Sequence, residues 1–443
     1  IKLAQLKKNV ALVEVDNVGG VCLNWGCIPT KALLKSAEVY TMLSHAQDYG
    51  ISAKKISINF DVMVKRSRKV ASQLSDGIAQ LVKKNKITLI EGRGELDGNN
   101  IVRITRSDKS KRQISGKNII IATGARARTL PNLPIDGQFV VTSKEAMVLK
   151  ELPKSILIVG SGAIGIEFAS FFNALGSKVT VIDIADRILL SEDKEIAASA
   201  KKAFENRGMS FFTKTTIKLI KKGVNLVKVT LDVDGKEQIK EYSKIISAVG
   251  VVANIENIGL EATKVKTERG SILTDDGMQT HHKSIYAIGD VAGGPWLAHK
   301  ASHEAIICSE HITGKATGHK LKKENIPGCI YSSPQIASVG LNEQQALDLG
   351  HEIKIGRFPF LANGKAVAIG KEKEGFIKTI FDKITGELLG AHMIGEDVTE
   401  MVHSFVMAKT FEITDQDFIQ TIFPHPTLSE MIHESVLDAN DEA

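Results

Sequence analysis

Cysteine is scarce in this sequence, with four in 443 residues. That excludes a secreted disulfide scaffold, and it makes any disulfide here working chemistry in a reducing compartment rather than a staple. No apolar run approaches the ~20 residues of a membrane span, and no signal-peptide pattern is visible. A dominant charge sign is lacking too: 57 Lys and Arg against 51 Asp and Glu leave +6, with the basic residues scattered. The reading is a solvated mixed surface, with no nucleic-acid and no membrane partner. Single cores stop growing near ~250–300 residues, so the length implies several domains.

What the chain does have is alternation. "IKLAQLKKNVALVEVD" reads as the tail of a helix running into a strand over residues 9–14. Val70, Leu74, Ile78 and Leu81 form a stripe at helical spacing on a segment rich in Lys and Arg. "ITLIEGRGEL", "NIVRIT" and "KNIIIATG" read as strands, and "PNLPIDG" as a connector. After Pro153 come a strand, a glycine turn, a helix closed by Gly176 and a strand ending at Asp183. Further strands are expected around 224–233, 245–249 and 284–294. From Ile326 the pattern turns to hairpin-like strands, "GFIKTIFD" and "LLGAHMIG", followed by helices, which marks a separate α+β domain.

Two of the four cysteines stand together in "GGVCLNWGCIPTK", residues 19–31. On an ideal helix residues five apart have Cα atoms ~8.6 Å from each other, whereas a disulfide takes roughly 4.4–6.8 Å. Cys22 and Cys27 are therefore either unpaired or on distorted backbone. Pro29, which cannot donate to the Trp25 carbonyl, and Gly26 supply a source of distortion. The bland reading is two buried, inert thiols. A redox pair is preferred, because both sit in a Gly-Gly-led turn at a helix start, where the dipole favours thiolate. No second ligand pair lies at zinc spacing, so no metal site is expected. Gly160-x-Gly162-x-x-Gly165 follows an apolar strand and opens a helix, the pattern that seats a pyrophosphate on a helix amino terminus. Asp183, placed for a ribose hydroxyl with no basic residue until Arg187, favours NAD over NADP. In "TIFPHPTLSE", His425 precedes Glu430 by five residues. That spacing suits a proton-exchanging ring with a carboxylate on its other nitrogen, though spacing alone leaves it even with a structural histidine. His281, His282, His299, His303, His392, His403 and His433 are read as structural.

Taken together, "GGVCLNWGCIPTKALL", "IIIATGA", "GSGAIGIEFA", "AIGDVAGGPWLAHKA" and "FPHPTLSE" resemble, in order, the motifs of the pyridine nucleotide–disulfide oxidoreductases, from Ile1 to near the carboxyl end. The resemblance implies an α/β fold with two Rossmann-like dinucleotide-binding domains. FAD binding would fall on 1–142, NAD binding on 143–262, a central domain on 263–325 and an α+β dimerisation domain on 326–443. It implies that Cys22 and Cys27 form a redox disulfide, with Cys22 exchanging with substrate and Cys27 contacting the flavin. Lys31 and Glu167 would pair near the flavin. Asp290 would bind the ribityl chain and Glu14 the adenosine ribose, while Leu297, Ala298 and His299 would face the pyrimidine end of the ring. Thr123, Gly124 and Gly250 complete the implied cofactor set with Gly160, Gly162, Gly165 and Asp183. His425, before a cis proline bond, and Glu430 would be an acid–base dyad serving the other subunit of a homodimer. Within the family the motifs fit best the oxidation of dihydrolipoyl groups by NAD⁺. The partner would be a lipoyl-bearing acyltransferase of a 2-oxo acid dehydrogenase complex, in a bacterial cytoplasm or a mitochondrial matrix. Cys308 and Cys329 fall outside the motifs and read as structural.

In one respect the sequence departs from the family, which opens with a strand and a glycine loop holding the FAD pyrophosphate. Here Ile1 falls in the helix that follows them. A polypeptide that truly starts there is expected to hold FAD weakly or not at all, with first-domain strands open to aggregation. Two alternatives accompany the main reading: a related NADH-dependent disulfide reductase, and a flavin-free, non-catalytic remnant.

Overall fold

Apolar runs bounded by glycines become parallel strands in the computed structural model, which describes residues 1–98, 100–315, 318 and 320–442. The chain gathers into two units. One comprises Ile1–Ala32, Val62–Arg128 and Gly250–Leu321; the other comprises Leu33–Asp61, Thr129–Val249 and Lys322–Ala443.

In the first unit, strand Ala11–Glu14 pairs in parallel with Thr88–Glu91, and Ile119–Ile121 pairs in parallel with Ile285–Ala287. An antiparallel meander of Arg93–Leu96, Ile101–Thr105 and Lys111–Ser115 stands beside them in sequence. Ile121, Ile258, Ile272, Ile285 and Val291 form the shared core. The helix carrying the expected stripe spans Phe60–Lys84, but a different face turns inward. Ser67, Ala71, Ser75 and Val82 are buried, while Leu74 and Leu81 stay 42% and 41% exposed. Both sets repeat at helical spacing, and packing decides between them. The small face lets the helix lie close to the cysteine segment, where the Ser75 hydroxyl donates to the Val18 carbonyl at 2.9 Å.

The second unit holds a five-stranded parallel sheet in the order Ser210–Phe212, Lys178–Ile182, Ser155–Val159, Lys244–Ser247 and Val140–Val141. Helix Ala163–Ala174 follows the Ser155–Val159 strand. The change expected at Ile326 is present as a five-stranded sheet. Its order is Gly328–Ile330, Gln335–Gly340, Leu388–Gly395, Phe376–Asp382 and Ile353–Pro359, antiparallel throughout. Helices Val398–Thr410 and Glu430–Ala439 pack on it over Phe360, Phe381, Met393, Phe405 and Met431. Covered on both faces, strand Leu388–Gly395 is buried throughout, which is why its sequence lacks polar alternation. Among the described residues no helix is long and apolar enough to cross a membrane.

Candidate active site

Two helices meet at the cysteine pair. Gly20–Trp25 ends at Gly26, whose φ of −146° and ψ of −116° break the run, and Cys27–Ser44 begins immediately after it. Across that break Cys22 and Cys27 are joined as a disulfide, with Cα atoms 4.7 Å apart. Of the two possibilities read from the spacing, distorted backbone is the one realised. A Cβ on Gly26 would lie 3.1 Å from both the Cys22 Cα and the Val21 carbonyl oxygen, so the turn has little room for a side chain. Thr30 ties the break off: its N–H and its hydroxyl donate to the Gly26 carbonyl at 3.2 and 2.7 Å. Pro29 sits in the first turn of the second helix, where its missing N–H costs nothing. Cys27 is the first residue of that 18-residue helix, the end at which the backbone dipole favours a thiolate. Lys31 lies one turn further on. Cys308, by contrast, is buried, and burial pushes its thiol up to about 12, so it stays protonated and inert.

Elsewhere in the same unit several polar groups suit a flavin nucleotide. Glu14 closes its strand and accepts from the Val15 and Asp16 N–H groups at 2.8 and 2.9 Å through one oxygen, leaving the other for a sugar hydroxyl. Asp290 lies in the short turn Gly289–Ala292. Its carboxylate is half-buried and accepts no hydrogen bond among the described residues, and burial raises its pKa against the opposing charge of Lys300. Two residues the sequence reading missed brace this turn. Buried Lys300 and Glu304 pair at 2.7 Å; Lys300 donates to the Gly293 carbonyl and Glu304 accepts from the Gly289 N–H, each at 2.7 Å. Their one available signal was i,i+4 spacing, which surface pairs share. Leu297 caps helix Ala298–Thr313, with His299 in its first turn. Thr123 and Gly124 follow strand Ile119–Ile121, and the Thr123 hydroxyl donates to the Asn254 carbonyl at 2.7 Å. Gly124, at φ +71°, has open space where a side chain would stand. Gly250, at φ +98°, offers its carbonyl to the Arg128 N–H at 3.0 Å.

In the second unit the three fingerprint glycines have separate physical reasons. A Cβ on Gly160 would lie 2.3 Å from the Ala248 carbonyl oxygen, and one on Gly165 would lie 2.0 Å from the Gly160 carbonyl oxygen. These two let strand, turn and helix close on one another. Gly162 caps helix Ala163–Ala174 and faces open space, where a phosphate can approach the unpaired N–H groups of the first turn. Asp183 follows strand Lys178–Ile182 and is already held. One oxygen accepts from the Ser161 N–H and hydroxyl at 2.7 and 2.6 Å, and the other from the Ala185 N–H at 3.0 Å. Ser161 also went unnoticed in the sequence. Glu167, a surface charge on bare helical reading, is buried and accepts from the Tyr331 N–H at 3.0 Å.

His425 and Glu430 are together. His425 Nδ1 stands 2.8 Å from Glu430 Oε1, and the carboxylate fixes the ring as the Nδ1–H tautomer, leaving Nε2 to accept a proton. Glu430 Oε2 accepts from the Thr427 N–H at 2.8 Å. That bond first, and the His425 contact second, hold the Glu430 carboxyl below its ordinary range against the opposing effect of burial. The His425–Pro426 bond is cis, as the resemblance implies.

Residues 1–305 match the pyridine nucleotide-disulphide oxidoreductase family, and residues 326–436 match its dimerisation domain. The chain belongs to this family. A dihydrolipoyl dehydrogenase of Zymomonas mobilis is 47% identical over 444 residues, covering 100% of this chain and 95% of the relative. Another of the same description, from Rhizobium etli, is 47% identical over 455 residues, covering 99% and 94%. Among solved structures, LpdA of Mycobacterium tuberculosis superposes with a TM-score of 0.91 at 25% identity, covering 98% of this chain and 96% of that one. As a member of this family the chain is an oxidoreductase; its fold is mixed α/β, and its disulfide stands at the start of a helix.

Proposed function

We propose that the chain is a dihydrolipoyl dehydrogenase, oxidising the dihydrolipoyl group of a lipoyl-bearing acyltransferase and reducing NAD⁺ to NADH with FAD as intermediary. The observation that carries this reading is the Cys22–Cys27 disulfide across a helix break, in a chain 47% identical over its whole length to an enzyme of that description.

The residues present fit the pyrophosphate and ribose of NAD and, for FAD, the hydroxyl groups and the ring rather than its pyrophosphate. Gly162 leaves the space a pyrophosphate needs, and Asp183 is a fixed acceptor for an NAD ribose. Glu14 and Asp290 supply acceptors for FAD hydroxyls, with Thr123, Gly124, Gly250, Lys31, Glu167 and Leu297–His299 completing the cofactor set. When bound, FAD and NAD⁺ supply the carriage of an electron pair from thiolate to nicotinamide. The chain's own residues do the thiol chemistry. One substrate sulfur, its proton taken by His425 Nε2, attacks Cys22 Sγ. The Cys22–Cys27 bond breaks, a mixed disulfide forms and Cys27 leaves as a thiolate, favoured by its place at a helix start. The second substrate sulfur then attacks the first, releasing the cyclic disulfide and Cys22, which receives the second proton. Two electrons and two protons leave the substrate; the protein disulfide gains the electrons.

The dimerisation segment implies a homodimer in which His425 and Glu430 of one protomer serve the cysteine pair of its partner. The division at 142, 262 and 325 belongs to the same proposal, as does a bacterial cytoplasm or a mitochondrial matrix as the setting. The test is anaerobic turnover of FAD-loaded protein with dihydrolipoamide and NAD⁺, beside NADH with glutathione disulfide. NADH formation in the first with little consumption in the second is expected. The reverse order would make the chain a related disulfide reductase, and a protein that takes up no flavin and turns over neither substrate would be a non-catalytic remnant.

A further inference from the structure

The two cysteines are held at bonding distance by backbone that an uninterrupted helix would not provide, since its Cα separation at five residues is ~8.6 Å against the 4.7 Å present. While the disulfide is closed the bond enforces that approach. Once it is reduced, something else must keep the thiols together or the segment relaxes and the bond becomes harder to remake.

The long helix Phe60–Lys84 is placed to do this. Arg68 donates from Nη1 to the Asn24 carbonyl at 2.7 Å, and its guanidinium lies 4.0 Å from the centre of the Trp25 ring. Asn24 and Trp25 are the two residues before the break at Gly26, both between the cysteines. One planar side chain thus grips the short segment by a carbonyl and by a ring, a combination a lysine cannot reproduce. The segment is tied at its start as well. Buried Asn24 donates through Nδ2 to the Val18 and Gly20 carbonyls, each at 3.1 Å, and Ser75 of the long helix donates to Val18 at 2.9 Å. Arg66, on the same helix, donates to the Ala32 carbonyl at 2.7 Å, beyond the pair rather than between its members.

We propose that Arg68 is a positioning residue for the redox disulfide. By holding Asn24 and Trp25 it keeps the sulfurs within closing distance in the dithiol form, and so sets the equilibrium between the two. This rests on the reading of Cys22 and Cys27 as redox-active, and it assigns Arg68 no contact with substrate or cofactor.

The test is equilibration of the whole 443-residue chain in glutathione buffers of graded thiol-to-disulfide ratio, where two glutathiones become glutathione disulfide as one protein disulfide becomes a dithiol. Acid quenching, alkylation and mass counting read the fraction open, with or without flavin. For Arg68→Met the ratio of closed to open protein at a given buffer should fall about tenfold, equivalent to ~30 mV for a two-electron couple. Arg68→Lys should fall between it and the parent, while Arg66→Met should stay at the parent midpoint. If Arg68→Met does not fold, Trp25→Leu removes the ring from beneath the guanidinium and should shift the midpoint in the same direction. A parent that opens and closes with Arg68→Met, or its substitute Trp25→Leu, at an unmoved midpoint would overturn the role of Arg68. A parent whose pair never exchanges would overturn the redox reading itself.

Discussion

His425 has a side chain 79% exposed, yet its ring has one orientation, because Glu430 holds Nδ1 and is itself held by the Thr427 amide. Replacing His425 with Gln removes the proton acceptor and leaves the fingerprint turn untouched. Reduction of the protein by dihydrolipoamide should slow by ~10²–10⁴-fold, with NADH binding by equilibrium titration unchanged; equal losses in both would remove His425 from the thiol step. Glu430 carries a second prediction. Its folded pKa is depressed, so its contribution to stability is complete above the ordinary carboxylate pKa and is lost as pH falls through the lowered one. Carboxyl-carbon NMR should place its midpoint below the ordinary ~4.3. In His425→Gln the midpoint should remain depressed, because the Thr427 N–H is the larger cause; a return to the ordinary value would reverse that order. At this scale the sequence was informative where chemistry dictates residue type, as with the paired cysteines and the three glycines. Ser161 and the Lys300–Glu304 pair escaped because ordinary residues acquire their roles only through partners the fold brings to them.

Among the elements, the fingerprint turn shows why glycine spacing was readable. At Gly165 a side chain would enter the Gly160 carbonyl at 2.0 Å, and both atoms belong to backbone that cannot move independently of strand Ser155–Val159. Gly165→Ala should destabilise the second unit by about 1–3 kcal/mol, the range of overpacked cores. It should also weaken NADH binding, while the Cys22–Cys27 pair, in the other unit, keeps its exchange with glutathione. Denaturant unfolding and NADH titration of the same preparation check this, and unchanged stability would mean that strand and helix can part. The stripe on Phe60–Lys84 was less legible. Leu74 and Leu81 follow the helical period as well as Ala71, Ser75 and Val82 do, and hydrophobicity ranks the leucines first. Closeness of approach to the cysteine segment selects the small face instead, and nothing in the local sequence encodes that distance.

For the molecule as a whole, the joining of the segment after the glycine fingerprint to the C-terminal sheet was the least visible feature. Within the expected strand "GFIKTIFD", Lys378 is buried and binds Asp193, Glu195 and Glu343 at 3.1, 2.7 and 2.7 Å. The partners stand 185, 183 and 35 positions away in sequence, beyond the reach of any motif. Arg357, its cross-strand neighbour, adds a two-pronged contact to Glu195 at 2.7 and 2.9 Å. That contact first, and Lys378 next, draw the Glu195 carboxyl down to about 2. Burial alone would lower the pKa of Lys378, but its hydrogen bonds to Glu195 and Glu343 raise it. The start of helix Lys194–Asn206 is thereby bound to the sheet through charge. Removing one member of a buried ion pair strands the other, here Asp193, whose side chain is 3% exposed. Because Glu195 and Glu343 can turn to solvent, Lys378→Met should cost about 3 kcal/mol, the low end for such losses. Adding Asp193→Asn should restore part of it. The parent should lose the same linkage in acid, from the ordinary carboxylate range down towards pH 2, as Glu195 takes up its proton. Lys378→Met should therefore show a shallower loss of stability over that interval in denaturant unfolding. Parallel pH profiles would mean that the carboxylates hold the helix without the lysine.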